Sequence, residues 1–145
     1  MFLVDTNVLV YAADRAAAEH DRCRERLEGW RAETVPWYLS WPIVYEFLRV
    51  STHPRVFRQP MPLSDAWGFI RAILASPAVT VLVPGPQHAA VAERTLLEIA
   101  GLRGNLLHDA HTAVLMREHG IATIYTRDTD FHRFPFLRVV DPLGG

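Results

Sequence analysis

The chain has no lysine; all 15 of its basic residues are arginine. Arginine suits bidentate phosphate contacts and salt bridges, but a GC-rich coding sequence accounts for the bias by itself. Charge of one sign is missing too. The formal net charge is −1, which excludes the broad basic footprint common in DNA-binding domains. A single cysteine, Cys23, rules out an internal disulfide or a cysteine metal cluster, and within a charged helical segment it reads as a spectator thiol. No apolar run is long enough to span a bilayer, and the N-terminus lacks the basic flank of a signal peptide. The expectation is a cytoplasmic chain with no membrane association.

What is present suits one globular domain over residues 1–145, with 50% hydrophobic and 21% charged residues. Phe2 to Val4 reads as a first strand, and Leu9 to Ala13 as an apolar turn or short helix. Residues 16–33 read as a polar helix with Cys23, Leu27 and Trp30 inward. "VPWYLSWP" reads as an aromatic bend, with Ser40 as N-cap and Pro42 in the first turn of a helix over 42–52. A proline-rich loop, "THPRVFRQPMPLS", leads to a helix capped by Ser64 or Asp65 and running to Ala75. "AVTVLVP" follows as a buried strand, then helices over 87–100 and 108–119, the second stopped by Gly120. "IATIYT" and "LRVVDP" are the last strands. Strands alternating with helices predict an α/β fold with a parallel sheet.

Four acidic places stand out. Asp5 closes an almost wholly apolar strand, and ligands of open α/β sheets sit beyond strand carboxyl ends. Glu46 borders the apolar face of its helix, with Pro42, Tyr45 and Arg49 as helical neighbours. Asp109 lies in the first turn of "HDAHTAVLM", and Asp128 and Asp130 follow a strand in "TRDTDF". Singly, each has an ordinary explanation: a favourable charge at a helix N-terminus for Asp109, turn formation for Asp128 or Asp130, a solvated face for Glu46. Together they make a cluster that resists itself. Two unit charges ~4 Å apart at an effective dielectric near 20 repel by about 4 kcal/mol. Protons or a cation must neutralise such a group. All-oxygen ligation selects a hard cation, Mg²⁺ or Mn²⁺, which acidifies bound water and stabilises in-line displacement at phosphorus.

The segments "FLVDTNVLVYA", "PIVYEFLRV", "LLHDAHTAVLMREHG" and "IYTRDTDFHRFPFLRVVDP" resemble the acidic motifs of PIN-domain ribonucleases, most closely the VapC-type toxins of bacterial toxin–antitoxin pairs. Motif order, spacing and chain length all agree. The resemblance implies a small parallel β-sheet flanked by α-helices and Mg²⁺- or Mn²⁺-dependent cleavage of RNA. It also implies inhibition by a VapB-type antitoxin and assembly as a homodimer. Asp5, Glu46, Asp109 and Asp128 match the metal-binding catalytic acids, and Asp130 an additional acid. Thr6 and Asn7 match the polar pair after the first acid, and Thr126 the hydroxyl before the fourth; these would orient carboxylates or waters. The segment "HPRVFRQPMP" exceeds what a minimal member needs, which leaves substrate choice open.

Other polar residues were weighed on their own chemistry. Arg127 and His132 flank "DTDF" and are candidates for phosphate contact, as is His108 for substrate. His108 and His111, three apart beside Asp109, would offer one face of a zinc site but fall short of its ligand count. "PWYLSW" is either core or a dimer or antitoxin surface. Two rival functions remain. An aspartyl-nucleophile phosphatase wants a second Asp two positions after the first, where this chain has Asn7. A catalytically inactive RNA- or protein-binding scaffold of the same fold would be marked by a missing acid, and none is missing.

Overall fold

A computed structural model describes residues 1–144. Five strands form one all-parallel sheet: β1 (Phe2–Val4), β2 (Trp37–Ser40), β3 (Val79–Leu82), β4 (Thr123–Tyr125) and β5 (Arg138–Val140). Their spatial order is β3-β2-β1-β4-β5. Helices α1 (Thr6–Ala13) and α2 (His20–Ala32) join β1 to β2, and α3 (Trp41–Ser51) and α4 (Leu63–Leu74) join β2 to β3. The return passes through α5 (His88–Glu98) and α6 (Leu106–Glu118), and a 3₁₀ turn over Thr129–Arg133 precedes β5. The helices pack as two groups, α1 against α2 and α3 with α3 against α4, and α5 against α6. Right-handed crossovers put those groups on opposite faces of the sheet. None of the described helices is long and apolar enough to cross a membrane.

The order fixes where a ligand can sit. From β1 the chain steps one way through β2 to β3, then returns to the other side of β1 for β4 and β5. The reversal opens a crevice at the carboxyl ends of β1 and β4, the switch point of an open α/β sheet. Trp30 of α2 packs on Phe2, Trp37 and Tyr125, with ring centroids 5.1, 6.0 and 4.7 Å away. One aromatic thus ties three adjacent strands together.

Several expectations change. "WYLS" is not a bend but strand β2, hydrogen-bonded between β1 and β3, with Trp37 and Leu39 fully buried. The strand passes directly into α3, so no turn signal separates the two, yet Ser40 still caps the helix and accepts from the Ile43 amide at 3.4 Å. The "AVTVLVP" strand is an edge strand rather than a buried one; within β3 only Leu82 is buried, and Val83 is 50% exposed. Helix α4 is capped by neither Ser64 nor Asp65, because Pro62, with φ −57°, already sets its entry. α1 begins at Thr6, capped by the Asp5 carboxylate, and α6 begins two residues early, at Leu106. The segment before His20 is turns rather than helix. Gly120, at φ +71°, ends α6 in the left-handed region that favours glycine. Trp30 and Trp37 are core, whereas Trp41 and Trp67 are each 40% exposed.

Because Leu39 is fully buried in β2 and Val83 follows the edge strand β3 half exposed, substitutions there should differ sharply. Leu39→Ala should lower stability by about 2–5 kcal/mol in urea denaturation. Val83→Ala should stay within about 0.5 kcal/mol. Similar losses at both positions would contradict the strand order.

Candidate metal and active centre

Asp5 leaves β1 at the crevice, where its backbone amide donates to the Tyr125 carbonyl of β4 at 3.0 Å. Its carboxylate is held on both oxygens. Oδ1 accepts from the Thr6 amide at 2.8 Å, and Oδ2 accepts from the Thr126 hydroxyl at 2.8 Å and the Asn7 side-chain amide at 3.2 Å. Thr126, 1% exposed, also accepts from Asn7 Nδ2 at 2.9 Å and from the Asp128 amide at 2.9 Å. Asn7 Oδ1 in turn accepts from the Arg127 amide at 3.1 Å. The Thr6 hydroxyl reaches Glu46 Oε2 at 3.2 Å. Thr6, Asn7 and Thr126 therefore hold the Asp5 carboxylate, and Thr6 also contacts that of Glu46.

Asp5, Glu46, Asp109, Asp128 and Asp130 all line one groove of about 620 Å³. Carboxylate oxygens of Asp109, Asp128 and Asp130 lie within 4.8 Å of one another, a spacing one hard cation bridges. Asp128 is shaped for this by its own turn, Oδ1 accepting from the Asp130 amide at 2.9 Å. Asp5 and Glu46 stand outside that trio. The groove has Pro42, Tyr45 and Arg49 of α3 on one side and Asn105, His108, His111 and Thr112 on the side of α6. Sequence reading reached His108 and placed the three α3 residues beside Glu46, but it overlooked Asn105. Arg127 and His132 do not line the groove. Arg127 Nε faces Asp141 Oδ1 at 3.4 Å, and His132 is an exposed residue of the 3₁₀ turn.

The electrostatics follow the crowding. Burial pushes the Asp109 carboxyl up to about 7, aided by Asp128, Asp5, Asp130 and Glu46. Burial also pushes Asp5 up to about 6; hydrogen bonds from Thr126 and Thr6 oppose the rise, and Glu46 and Asp128 add to it. Burial, with His88 and His108 nearby, holds His111 below the ordinary histidine range. Two carboxyls that keep their protons to near neutrality fit a site completed by a cation, since the ion replaces the protons.

The chain matches the PIN domain family over residues 2–137, and it belongs to that family. Within it, the relatives are ribonucleases of the VapC group. VapC43 of Mycobacterium tuberculosis is 39% identical over 145 residues, covering 100% of this chain and 97% of the relative. VapC48 of the same species is 37% identical over 141 residues, 97% of both chains. Among solved structures, M. tuberculosis VapC20, a sarcin–ricin-loop-cleaving toxin, superimposes with a TM-score of 0.64 at 22% identity, covering 91% of this chain and 93% of that one. The Rickettsia felis VapBC2 complex on a promoter DNA fragment gives a TM-score of 0.68 at 17% identity, with 96% of each chain covered. At those identities the superpositions establish the fold.

The raised carboxyls give a signed pH dependence. Between about pH 4 and pH 7 the folded chain holds protons that the unfolded chain has released. Stability without metal must therefore fall as pH rises through that window. The slope per proton is at most about 1.4 kcal/mol per pH unit, and solvent screening at half-buried Asp109 narrows the window over which it acts. Melting in EDTA should show the decline, and Asp109→Asn should flatten it. At one fixed concentration Mn²⁺ should stabilise more at pH 8 than at pH 5.5, and a concentration 100 times its dissociation constant should give about 2.7 kcal/mol in all. Equal Mn²⁺ shifts in wild type and Asp109→Asn would remove Asp109 from the site.

Proposed function

We propose that this groove is the active centre of a Mg²⁺- or Mn²⁺-dependent endoribonuclease, the toxin of a toxin–antitoxin pair. The observation that carries the reading is the carboxylate trio of Asp109, Asp128 and Asp130 at the switch point, in a chain 39% identical along its whole length to a VapC ribonuclease. Asp109 and Asp128 hold the cation, Asp130 closes the trio, and Asp5 and Glu46 complete the anionic floor. Ions of this kind supply charge stabilisation at phosphorus and acidify water for attack. Thr126 and Asn7 keep Asp5 aimed into the crevice, and Thr6 steadies Glu46. Asn7 also argues against an aspartyl-phosphate reaction: an amide that already donates to Asp5 cannot serve as that chemistry's acid–base group. A binding-only scaffold would not need to gather five acids in one groove.

We infer a cytoplasmic location from an RNA substrate, and a VapB-type antitoxin is its partner, as the R. felis toxin was solved with its own. Self-association fits the exposed aromatics Trp41 and Tyr45 of α3 and Trp67 of α4, at 40, 68 and 40% exposure.

Product ends test the chemistry. Attack by water rather than by the RNA's own 2′-hydroxyl leaves a 5′-phosphate and a 3′-hydroxyl, to be assigned by mass on short RNAs cut in Mg²⁺ or Mn²⁺. Thr126→Val should slow cleavage about 10–100-fold, the usual range for groups that orient ligands, and Asp109→Asn should exceed that range. A 2′,3′-cyclic phosphate would reassign the chemistry to His108 and His111. Cleavage that survives both EDTA and Asp5→Ala would remove the metal centre altogether.

A further inference from the structure

One polar constellation lies outside the acidic network yet leads to its groove. Glu118, near the end of α6, is a buried carboxylate with 5% of its side chain exposed. Its Oε1 accepts from the Gly85 amide at 2.7 Å and its Oε2 contacts His88 Nδ1 at 2.9 Å. A carboxylate only accepts, so the proton of that bond sits on His88 Nδ1 and the ring plane is fixed. Position 85 is shaped for the contact: a Cβ there would lie 2.9 Å from Glu118 Oε1, so any larger residue displaces the carboxylate. The pinned His88 ring then meets His111 edge-on, with centroids 5.9 Å apart and planes at 71°.

His111 itself lines the groove and has no hydrogen-bond partner among the described residues. Its surroundings explain why such a ring is useful. The floor is five carboxylates, which repel the strand's phosphates unless a cation stands between them. The walls are where a base can be read without that cation. Unpaired RNA bases are bound in this way, by stacking on aromatic or imidazole rings and by hydrogen bonds to base edges. A half-buried ring backed by a second, anchored ring loses little freedom on binding.

We propose that His111 stacks on the nucleotide beside the scissile phosphate, and that His88 and Glu118 are positioning residues that hold its ring in the groove. The assignment rests on the ribonuclease reading above and adds to it a determinant of which base is cut. The role requires no change of protonation in any of the three residues.

The test uses the full chain and a random-sequence pool of single-stranded RNA 12-mers in Mn²⁺, with cut sites read by end sequencing. KM and kcat follow on one efficiently cut sequence. His111→Ala should raise KM about tenfold or more, change kcat less than threefold and flatten the base preference beside the cut. His111→Phe, which keeps a ring, should restore KM. The Mn²⁺-induced rise in melting temperature should match wild type in both, showing the acidic centre intact. Glu118→Gln and Gly85→Ala, which disturb the anchor without touching the groove, should reproduce part of the KM rise and part of the lost preference. Unchanged KM and base preference in His111→Ala overturn the contact. A lowered melting temperature with unchanged KM and preference in both anchor variants overturns the positioning role, leaving a tie between α5 and α6. Wild-type protein that cuts nothing in the pool refutes the ribonuclease reading itself, and this one with it.

Discussion

The repulsion among carboxylates at the ends of β1 and β4 is the constraint around which this protein is organised, and Thr126 is where it is managed. A hydroxyl has one proton to give and two lone pairs to offer. Thr126 uses all three, donating to Asp5 and accepting from Asn7 and the Asp128 amide. Two acids from strands on either side of the switch point are thereby fixed through one neutral atom. Asn7 repeats the device on a larger scale, its side-chain nitrogen donating toward Asp5 and Thr126 and its oxygen accepting from the Arg127 amide. No buried cation of the chain is spent on this. A neutral network holds the acids in place without satisfying their charge, which keeps the centre strained in a way only protons or an added ion can relieve.

The fold around it was legible wherever local pattern and tertiary setting agree. Asp5, Asp109 and Asp128 could be placed because a carboxylate that closes an apolar strand, or opens a helix, has few ordinary reasons to be there. β2 could not. Its four residues run into α3 without a turn, and proline on either side of "WYLSW" mimics a bend. Only pairing to β1 and β3 makes it a strand, and pairing is not written locally. The apolar "VTVL" of β3 looked central because an edge strand packed by a helix carries the same residue types as a buried one. The cap of α4 was misread because proline replaces a side-chain hydrogen bond with a fixed backbone angle. Contacts distant in sequence were beyond reach altogether: Arg127 with Asp141, and His88 with Glu118 thirty positions on.

That last class also accounts for some of the arginines, which serve the frame. Arg26 donates to the carbonyls of Pro142 and Gly144, and Arg22 to that of Leu143, fastening the C-terminal segment to α2. Arg117 joins Glu98 and Thr95 and lies over the Phe136 ring. Of the groove residues only Arg49 is a permanent cation, and it sits 4.0 Å from Glu46. A chain of net charge −1 with a single permanent cation in this groove has little long-range attraction for a polyanion there.

Affinity for RNA must then be created locally, and the acidic floor dictates how. Without a cation, five carboxylates oppose a phosphodiester at the place where it has to bind. A divalent ion held by Asp109, Asp128 and Asp130 would cancel most of their charge and offer a phosphate oxygen a cation to approach. Metal and substrate are therefore linked ligands, each strengthening the other by the same coupling free energy. The neutral walls escape this linkage. Contacts made there by imidazole, phenol or amide groups do not depend on the ion for their sign, so they can discriminate between bases while the floor discriminates only phosphate. Separating the two tasks leaves the chemistry to the acids of the floor and the reading of the RNA to the wall above them.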